Sequence, residues 1–313
     1  GHILPVQRQL SRLESQLFPK TAGDCELPMG SRSSIRIESP QNARIKAVAR
    51  LREKRGRQQA GYYLIDGARE CQRALECHAP VATLILCHEL MESGVGTEFQ
   101  ATSAIRQWLE SEPDQDTPWD NQSSVWELTR EAFEKLTYGE RSDGVIAIAK
   151  SRQFQLQDLL LPEVPLVVVV EALEKPGNLG AVFRTADATG VSAILIADPK
   201  VDPENANVIR ASLGTVFSVP YATGTTEEIR AWLSGHQIQV VAAQVQATRD
   251  YTEIDYRIPT AVVMGSEAYG LQAHWFDAGS LPVRIPMLGI ADSLNVSVSA
   301  AVLLYEAIRQ RGT

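Results

Sequence analysis

The residue types best suited to chemistry fall in three short segments of the 313-residue chain. The first runs Glu171-Ala-Leu-Glu-Lys-Pro-Gly-Asn178-Leu-Gly-Ala-Val-Phe-Arg184-Thr-Ala. Pro176 and Gly177 make a turn, Asn178 is a natural cap for the helix that follows, and Arg184 lies two turns further on. Its neighbours Val182, Phe183 and Ala186 belong in a core, and an arginine in that company needs an anionic or polar partner. The second segment, Met264-Gly-Ser-Glu267-Ala-Tyr269-Gly-Leu271, follows an apolar run. Gly265 and Gly270 let the backbone turn sharply and approach a ligand, while Glu267 can orient donors or accept a proton. The third segment spans 285–301, where Ser293, Asn295, Ser297 and Ser299 stand within seven residues. One of these suffices to cap a helix, and four suit a ligand held against a helix start. Taken singly, each segment also reads as ordinary capping or a glycine turn. Their combination points to a site.

The elements that must hold these segments are interleaved along the second half. Apolar strands at 166–170, 193–197, 216–219, 239–243, 261–264 and 283–285 mix with helices at 179–189, 204–212, 227–233, 271–276 and 295–311. This pattern predicts an α/β fold with a mostly parallel sheet covered on both faces. In open sheets of this kind a ligand sits beyond the carboxyl ends of the strands, which is where the three segments fall. The first half predicts a small α/β domain. It has a helix from Pro40 with Ile45, Val48, Ala49 and Leu51 on its apolar face, and strands at 62–65, 81–87, 125–128 and 145–149. Helices follow Gly67 and occupy 131–136, and 112–124 reads as a loop. The organisation is therefore an extension at 1–30 (partly helical at 10–17), a domain at 31–150, a linker at 151–165 and a second domain at 166–313.

A hydrophobic share of 44% and a charged share of 22% are ordinary globular values, which excludes disordered and collagen-like chains. Four cysteines without framework spacing fit reduced thiols. Cys71, Cys77, His78, Cys87 and His88 match no usual zinc spacing, so no metal is expected. Neither a G-x-G-x-x-G fingerprint nor a P-loop occurs. No run approaches membrane-span length and no leader pattern is visible, so the expected location is cytoplasmic. The net charge of −8 hides a basic window, because Arg32 to Arg73 holds eleven Lys/Arg against four acids. Phosphate is the commonest partner of such a face. Arg44, Lys46, Arg50, Arg52, Lys54, Arg55 and Arg57 are the candidate contacts, and a merely solvated helix surface is the plainer alternative.

In order, Pro176-Gly-Asn-Leu-Gly-Ala-Val-Phe-Arg-Thr-Ala186, Gly265-Ser-Glu-Ala-Tyr-Gly270 and Ile285-Pro-Met through Ser293-Leu-Asn-Val-Ser-Val-Ser299 resemble three signature motifs. These are the motifs of the SpoU-type RNA 2′-O-ribose methyltransferases of the SPOUT superfamily, and the match covers about 165–311. The basic first half resembles, less specifically, the small ribosomal-protein-like substrate-binding domain of rRNA-modifying members. The resemblance implies a catalytic domain with a C-terminal trefoil knot. It also implies S-adenosyl-L-methionine bound against Gly265, Ile285 and Leu294. The matching catalytic set is Asn178, Arg184, Glu267, Ser293 and Asn295. An RNA partner, most simply 23S or other large-subunit rRNA, and a homodimer are implied as well. A tRNA target and a non-catalytic ribosome-assembly factor are the alternatives. Two positions depart from the family pattern: Lys175 stands where many members carry an acid, and Tyr269 where the residue is often small.

Overall fold

The computed structural model describes residues 32–93, 103–111, 118–120, 122–137, 143–152, 154–276 and 279–312. The expected N-terminal extension and half of the 112–124 loop lie outside them. In the first half, β1 (Ser34–Ile37) leads through α1 (Ala43–Ala49), a 3-10 turn at Arg50–Arg52 and α2 (Lys54–Ala60) to β2 (Tyr62–Asp66). Then come α3 (Ala68–Glu76), β3 (Val81–Leu86), α4 (His88–Ser93), α5 (Ser103–Glu110), β4 (Val125–Leu128), α6 (Arg130–Phe133) and β5 (Val145–Lys150). The sheet order is β1-β4-β3-β5-β2, with β5 antiparallel to both neighbours. Edge strand β1 escapes the sequence reading because it is short and alternates Ser and Arg with Ile, leaving little apolar signal. Gly56 sits where a Cβ would lie 1.9 Å from the Arg50 carbonyl oxygen, so α2 can fold tightly against the turn before it only with glycine there.

The second half comprises β6 (Leu166–Glu171), α7 (Pro176–Ala188), β7 (Ala193–Ala197), α8 (Ala206–Ala211) and β8 (Tyr221–Gly224). It continues with α9 (Thr226–Gly235), β9 (Gln239–Ala243), β10 (Thr260–Met264), β11 (Ser280–Val283) and α10 (Val296–Arg311). All six strands are parallel, in the order β11-β9-β10-β6-β7-β8. Val167 to Val170 are fully buried, as an unbroken apolar run inside a parallel sheet requires. The chain walks outward from β6 to β8, crosses to β9, and returns to set β10 beside β6. That reversal is the switch point beyond which such sheets bind ligands. Among the described residues no helix is long and apolar enough to cross a membrane.

Several boundaries differ from the sequence reading, each for a local reason. Helix α7 starts at Pro176 rather than Leu179, because proline suits the first helical position. Asn178 therefore lies inside the first turn and is not the cap. The expected strand at 216–219 is a 3-10 turn at Thr215–Phe217. Gly214 turns the chain at φ 81° and the Thr215 hydroxyl donates to the Ser212 carbonyl at 2.8 Å. Buried Val216 and Val219 mimic a strand, but β8 begins only after Pro220. The short helix at 271–276 is a 3-10 turn at Ala273–Phe276. The last strand is Ser280–Val283 instead of 283–285. It contains Pro282, which an edge strand tolerates.

The segment between the halves is packed rather than loose. Ser151 Oγ donates to Glu204 at 2.7 Å and the Arg152 N–H does so at 3.2 Å. Leu156, Leu159 and Leu161 pack on the cluster that includes Val167, Leu195 and Leu233. Ion pairs cross the junction from Arg57 Nη2 to Asp202 (2.5 Å) and from Arg210 Nη1 to Asp66 (3.3 Å). Arg73 adds a hydrogen bond to the Leu213 carbonyl. One core cluster contains residues of both halves, among them Tyr63, Leu84, Leu166 and Val208.

Candidate active site

A cavity of about 690 Å³ opens beyond the carboxyl ends of β9, β10 and β11, with Ala243, Met264 and Val283 in its wall. Gly265, Ile285 and Leu294 all line it, and so do Glu267, Ser293 and Asn295. A Cβ on Gly265 would lie 2.1 Å from the carbonyl carbon of Gly270. Only glycine allows the loop to close on itself here, where Ser266 and Gly270 exchange backbone hydrogen bonds of 3.2 and 2.9 Å.

Side-chain hydrogen bonds tie the three segments together. Asn295 caps α10, its Oδ1 accepting from the Ser297 N–H at 2.9 Å and the Ser297 hydroxyl at 2.7 Å. That leaves its Nδ2 to donate to Asn178 Oδ1 at 3.1 Å. Asn178 Nδ2 in turn donates to Glu267 Oε1 at 2.5 Å. The helix end at one extreme and the carboxylate at the other fix which way both amides face. What burial Glu267 has disfavours its charge. Hydrogen bonds from Asn178 and from the backbone N–H groups of Glu267 and Glu174, with Lys175 nearby, outweigh this and hold its carboxyl below the usual range.

Ser293 is exposed on the cavity wall and makes no hydrogen bond among the described residues. Arg184 stands apart. Val182, Phe183 and Ala186 are buried as expected, but Arg184 is on the exposed face of α7. The partner expected from its packed neighbours is therefore not required, and among the described residues it has none. Six residues of helix put Arg184 roughly 9 Å along and about 120° around from Asn178.

The sequence reading gave Glu171 no role, yet it anchors this end of the sheet. It is 2% exposed and lies at the end of β6. Its Oε1 accepts from Trp275 Nε1 at 2.9 Å and pairs with His274 Nε2 at 2.7 Å, and its Oε2 accepts from the Gln272 N–H at 3.1 Å. These contacts pin the chain directly after the Gly265–Gly270 loop. A carboxylate closing a run of four valines was the available signal, because a charge there must be paired.

The basic window divides. Lys46, Arg50, Lys54 and Arg55 are exposed and their side chains make no hydrogen bond or ion pair among the described residues, and Arg52 is exposed beside the Lys135 carbonyl. Arg44 is half-buried against Asp120 and Gln122. Arg57 is 4% exposed in the junction, so it is not on the basic face where the sequence reading put it.

Comparison with known proteins agrees with this geometry. Residues 165–305 match the SpoU rRNA Methylase family, and 42–147 match the MRM3-like substrate binding domain. An uncharacterized tRNA/rRNA methyltransferase of Synechocystis is 31% identical over 277 residues, covering 88% of this chain and 94% of the relative. The chain belongs to the SpoU rRNA methylase family. This SpoU-family chain is also 30% identical to a 23S rRNA (uridine(2479)-2′-O)-methyltransferase of Streptomyces viridochromogenes, over 86% of the chain and 91% of that protein. The crystal structure of an AdoMet-bound rRNA methyltransferase from Sinorhizobium meliloti superposes with a TM-score of 0.75. It shares 27% identity across 88% of this chain and 98% of its own.

Proposed function

We propose that this SpoU-family chain is an RNA 2′-O-ribose methyltransferase that takes its methyl group from S-adenosyl-L-methionine and acts on 23S or other large-subunit rRNA. The observation that carries this reading is the Asn295–Asn178–Glu267 chain, which joins all three segments at the rim of one cavity. The cavity fits the cofactor in size and character. It is within the range of cofactor sites and has apolar walls at Ile285 and Leu294 with polar groups at Ser293 and Gln244. When bound, the cofactor supplies an electrophilic methyl sulfonium. Everything else is alignment and charge, and falls to the protein.

In this reading Gly265, Ile285 and Leu294 hold the cofactor, while Asn178, Ser293 and Asn295 orient the ribose. A guanidinium is a poor proton acceptor in proteins, so the role of base is not given to Arg184. Its exposed guanidinium instead binds the neighbouring phosphate and stabilises the developing 2′-oxyanion. Glu267, held ionised, is a weak base, so the hydroxyl proton passes to water beside it. Residues 31–150 serve as the RNA-binding domain and 166–313 as the methyltransferase domain with the family's trefoil knot, joined through 151–165. The RNA docks on Lys46, Arg50, Arg52, Lys54 and Arg55. A homodimer is supported by the exposed apolar residues Leu288, Ile290, Val298 and Tyr305, the last two on one face of α10. A ribosomal substrate supports a cytoplasmic location.

Alkaline digestion tests the product. Hydrolysis of RNA uses the 2′-oxygen as nucleophile, so a methyl there protects one linkage. After reaction of a 23S transcript with methyl-labelled cofactor and complete digestion, label belongs in an alkali-resistant dinucleotide. Label in mononucleotides means base methylation and ends this reading. Arg184→Ala should abolish transfer while leaving calorimetric cofactor affinity within about threefold, since its partner is the RNA. Near-normal turnover would remove Arg184 from the mechanism.

A further inference from the structure

A second cavity, of about 360 Å³, plays no part in that reaction. It lies at the junction near the amino end of β8, whereas the active-site cavity lies beyond the carboxyl ends of β9, β10 and β11. All three parts of the chain build it: Tyr63 and Pro80 from the first half, Arg152 and Phe154 from the connecting segment, Phe217 and Tyr221 from the second. Tyr63, Phe154, Phe217 and Tyr221 give it aromatic walls. Phe154 meets Tyr221 edge-on at 5.0 Å, and Phe183 holds Tyr221 from another direction at 5.5 Å.

The polar groups here are unusual for a packed junction. Tyr63 is 5% exposed, yet its hydroxyl makes no hydrogen bond among the described residues, and neither does that of Tyr221. Neither oxygen is a sealed, unsatisfied group, so both are open to a ligand in the cavity. Glu204 also lines the space. Its carboxylate accepts from Ser151 and the Arg152 N–H, leaving lone pairs to spare. Tyr63, Glu204 and Tyr221 line the same cavity, and burial, then the nearby Glu204 charge, push both tyrosine hydroxyls well up. Asp158 and Glu204 against Arg152 leave the lining net negative. Aromatic walls and a carboxylate edge favour a flat cation over an anion.

We infer that the junction cavity is a binding site for a small planar aromatic with an amidinium or amino edge. The ring packs among Tyr63, Phe217 and Tyr221, and the edge donates to Glu204 and to the tyrosine oxygens. Such a ligand would touch both halves of the molecule and the segment between them at once.

Calorimetric titration of the full chain with benzamidine tests the site. Saturable one-to-one binding is expected. Benzoate, with the same ring and an anionic edge, should bind at least about tenfold more weakly. Tyr63→Phe and Glu204→Gln should each weaken benzamidine by about three- to tenfold while still melting cooperatively. Equal affinity for benzoate, no saturable binding, or unchanged affinity in both variants overturns the proposal.

Discussion

Arg57 of the junction and the exposed basic residues around it come from one stretch of sequence but do different work. Arg57 is enclosed: its Nε and Nη2 donate to Asp202, and its Nη1 donates to the carbonyls of Leu51 and Arg52. Lys54 and Arg55, on the same helix, point into solvent without a partner among the described residues. Periodicity on a seven-residue helix makes the difference, since one position in each turn must face inward. A charge count over the window cannot separate a clamp from a docking surface. Burial can.

Reversing the exposed charges should have the largest effect. Lys46→Glu, Arg50→Glu, Lys54→Glu and Arg55→Glu together should weaken RNA binding by a factor on the order of several hundred, and flatten its salt dependence by roughly 0.7–0.9 for each phosphate left without its cation. Melting temperature should hardly move, because these side chains hold nothing. Filter binding across a salt series reads both, and an unchanged slope would place the RNA elsewhere.

Arg57→Ala should show the opposite signature. It leaves Asp202 without its cation, and Asp202 Oδ1 already lacks a partner. Removing one member of a fully buried pair costs about 3–5 kcal/mol, and partial exposure of Asp202 lowers the expectation to about 2–3 kcal/mol. Urea denaturation measures this, and the salt slope for RNA should stay at the wild-type value. A stable Arg57→Ala protein with a flattened slope would erase the distinction between the two sets.

The smallest effect concerns Glu204, beside the same clamp. Burial first, then the Asp202 charge, raise its carboxyl above the usual range, against the hydrogen bonds from Ser151 and Arg152 and the Arg57 charge. The unfolded chain therefore gives up this proton at lower pH than the folded one. The junction loses stability as pH climbs through the carboxylate range and above it. Glu204→Gln should remove that loss, so the variant gains slightly on the wild type as pH rises from about 4 to 7. Thermal melts at several pH values show it. A gap that narrows with rising pH would mean that Glu204 is stabilised as an anion.

The active-site end was legible in sequence because its residue types are unusual in company. Glycines beside a strand end, and four Ser/Asn side chains at a helix start, are hard to explain by packing alone. Strands with unbroken valine or alternating isoleucine were equally plain. What sequence could not give was direction. Asn178 looked like a cap until Pro176 took the helix start, and Arg184 looked buried because its neighbours are. Glu171 carried a signal, a carboxylate closing a run of valines, but its partners are distant: Thr226 is 55 residues away, and Gln272, His274 and Trp275 are 101 to 104. Pro282 and Arg36 disguised edge strands, whose one-sided pairing permits polar and proline residues that a central strand would reject.

The place of β10 sets the order in which the protein becomes competent during synthesis. Its partner β6 ends at Glu171, but β10 starts only at Thr260, and the cavity wall, Lys175 apart, draws on residues from Ala243 to Leu303. Until those residues have been made, β6 has no neighbour on that side and no floor for the cofactor exists. At about 5–20 residues per second, the basic domain is complete several seconds before the catalytic pocket. Under the proposed function, the chain presents its RNA-docking residues before it has the pocket that modifies RNA.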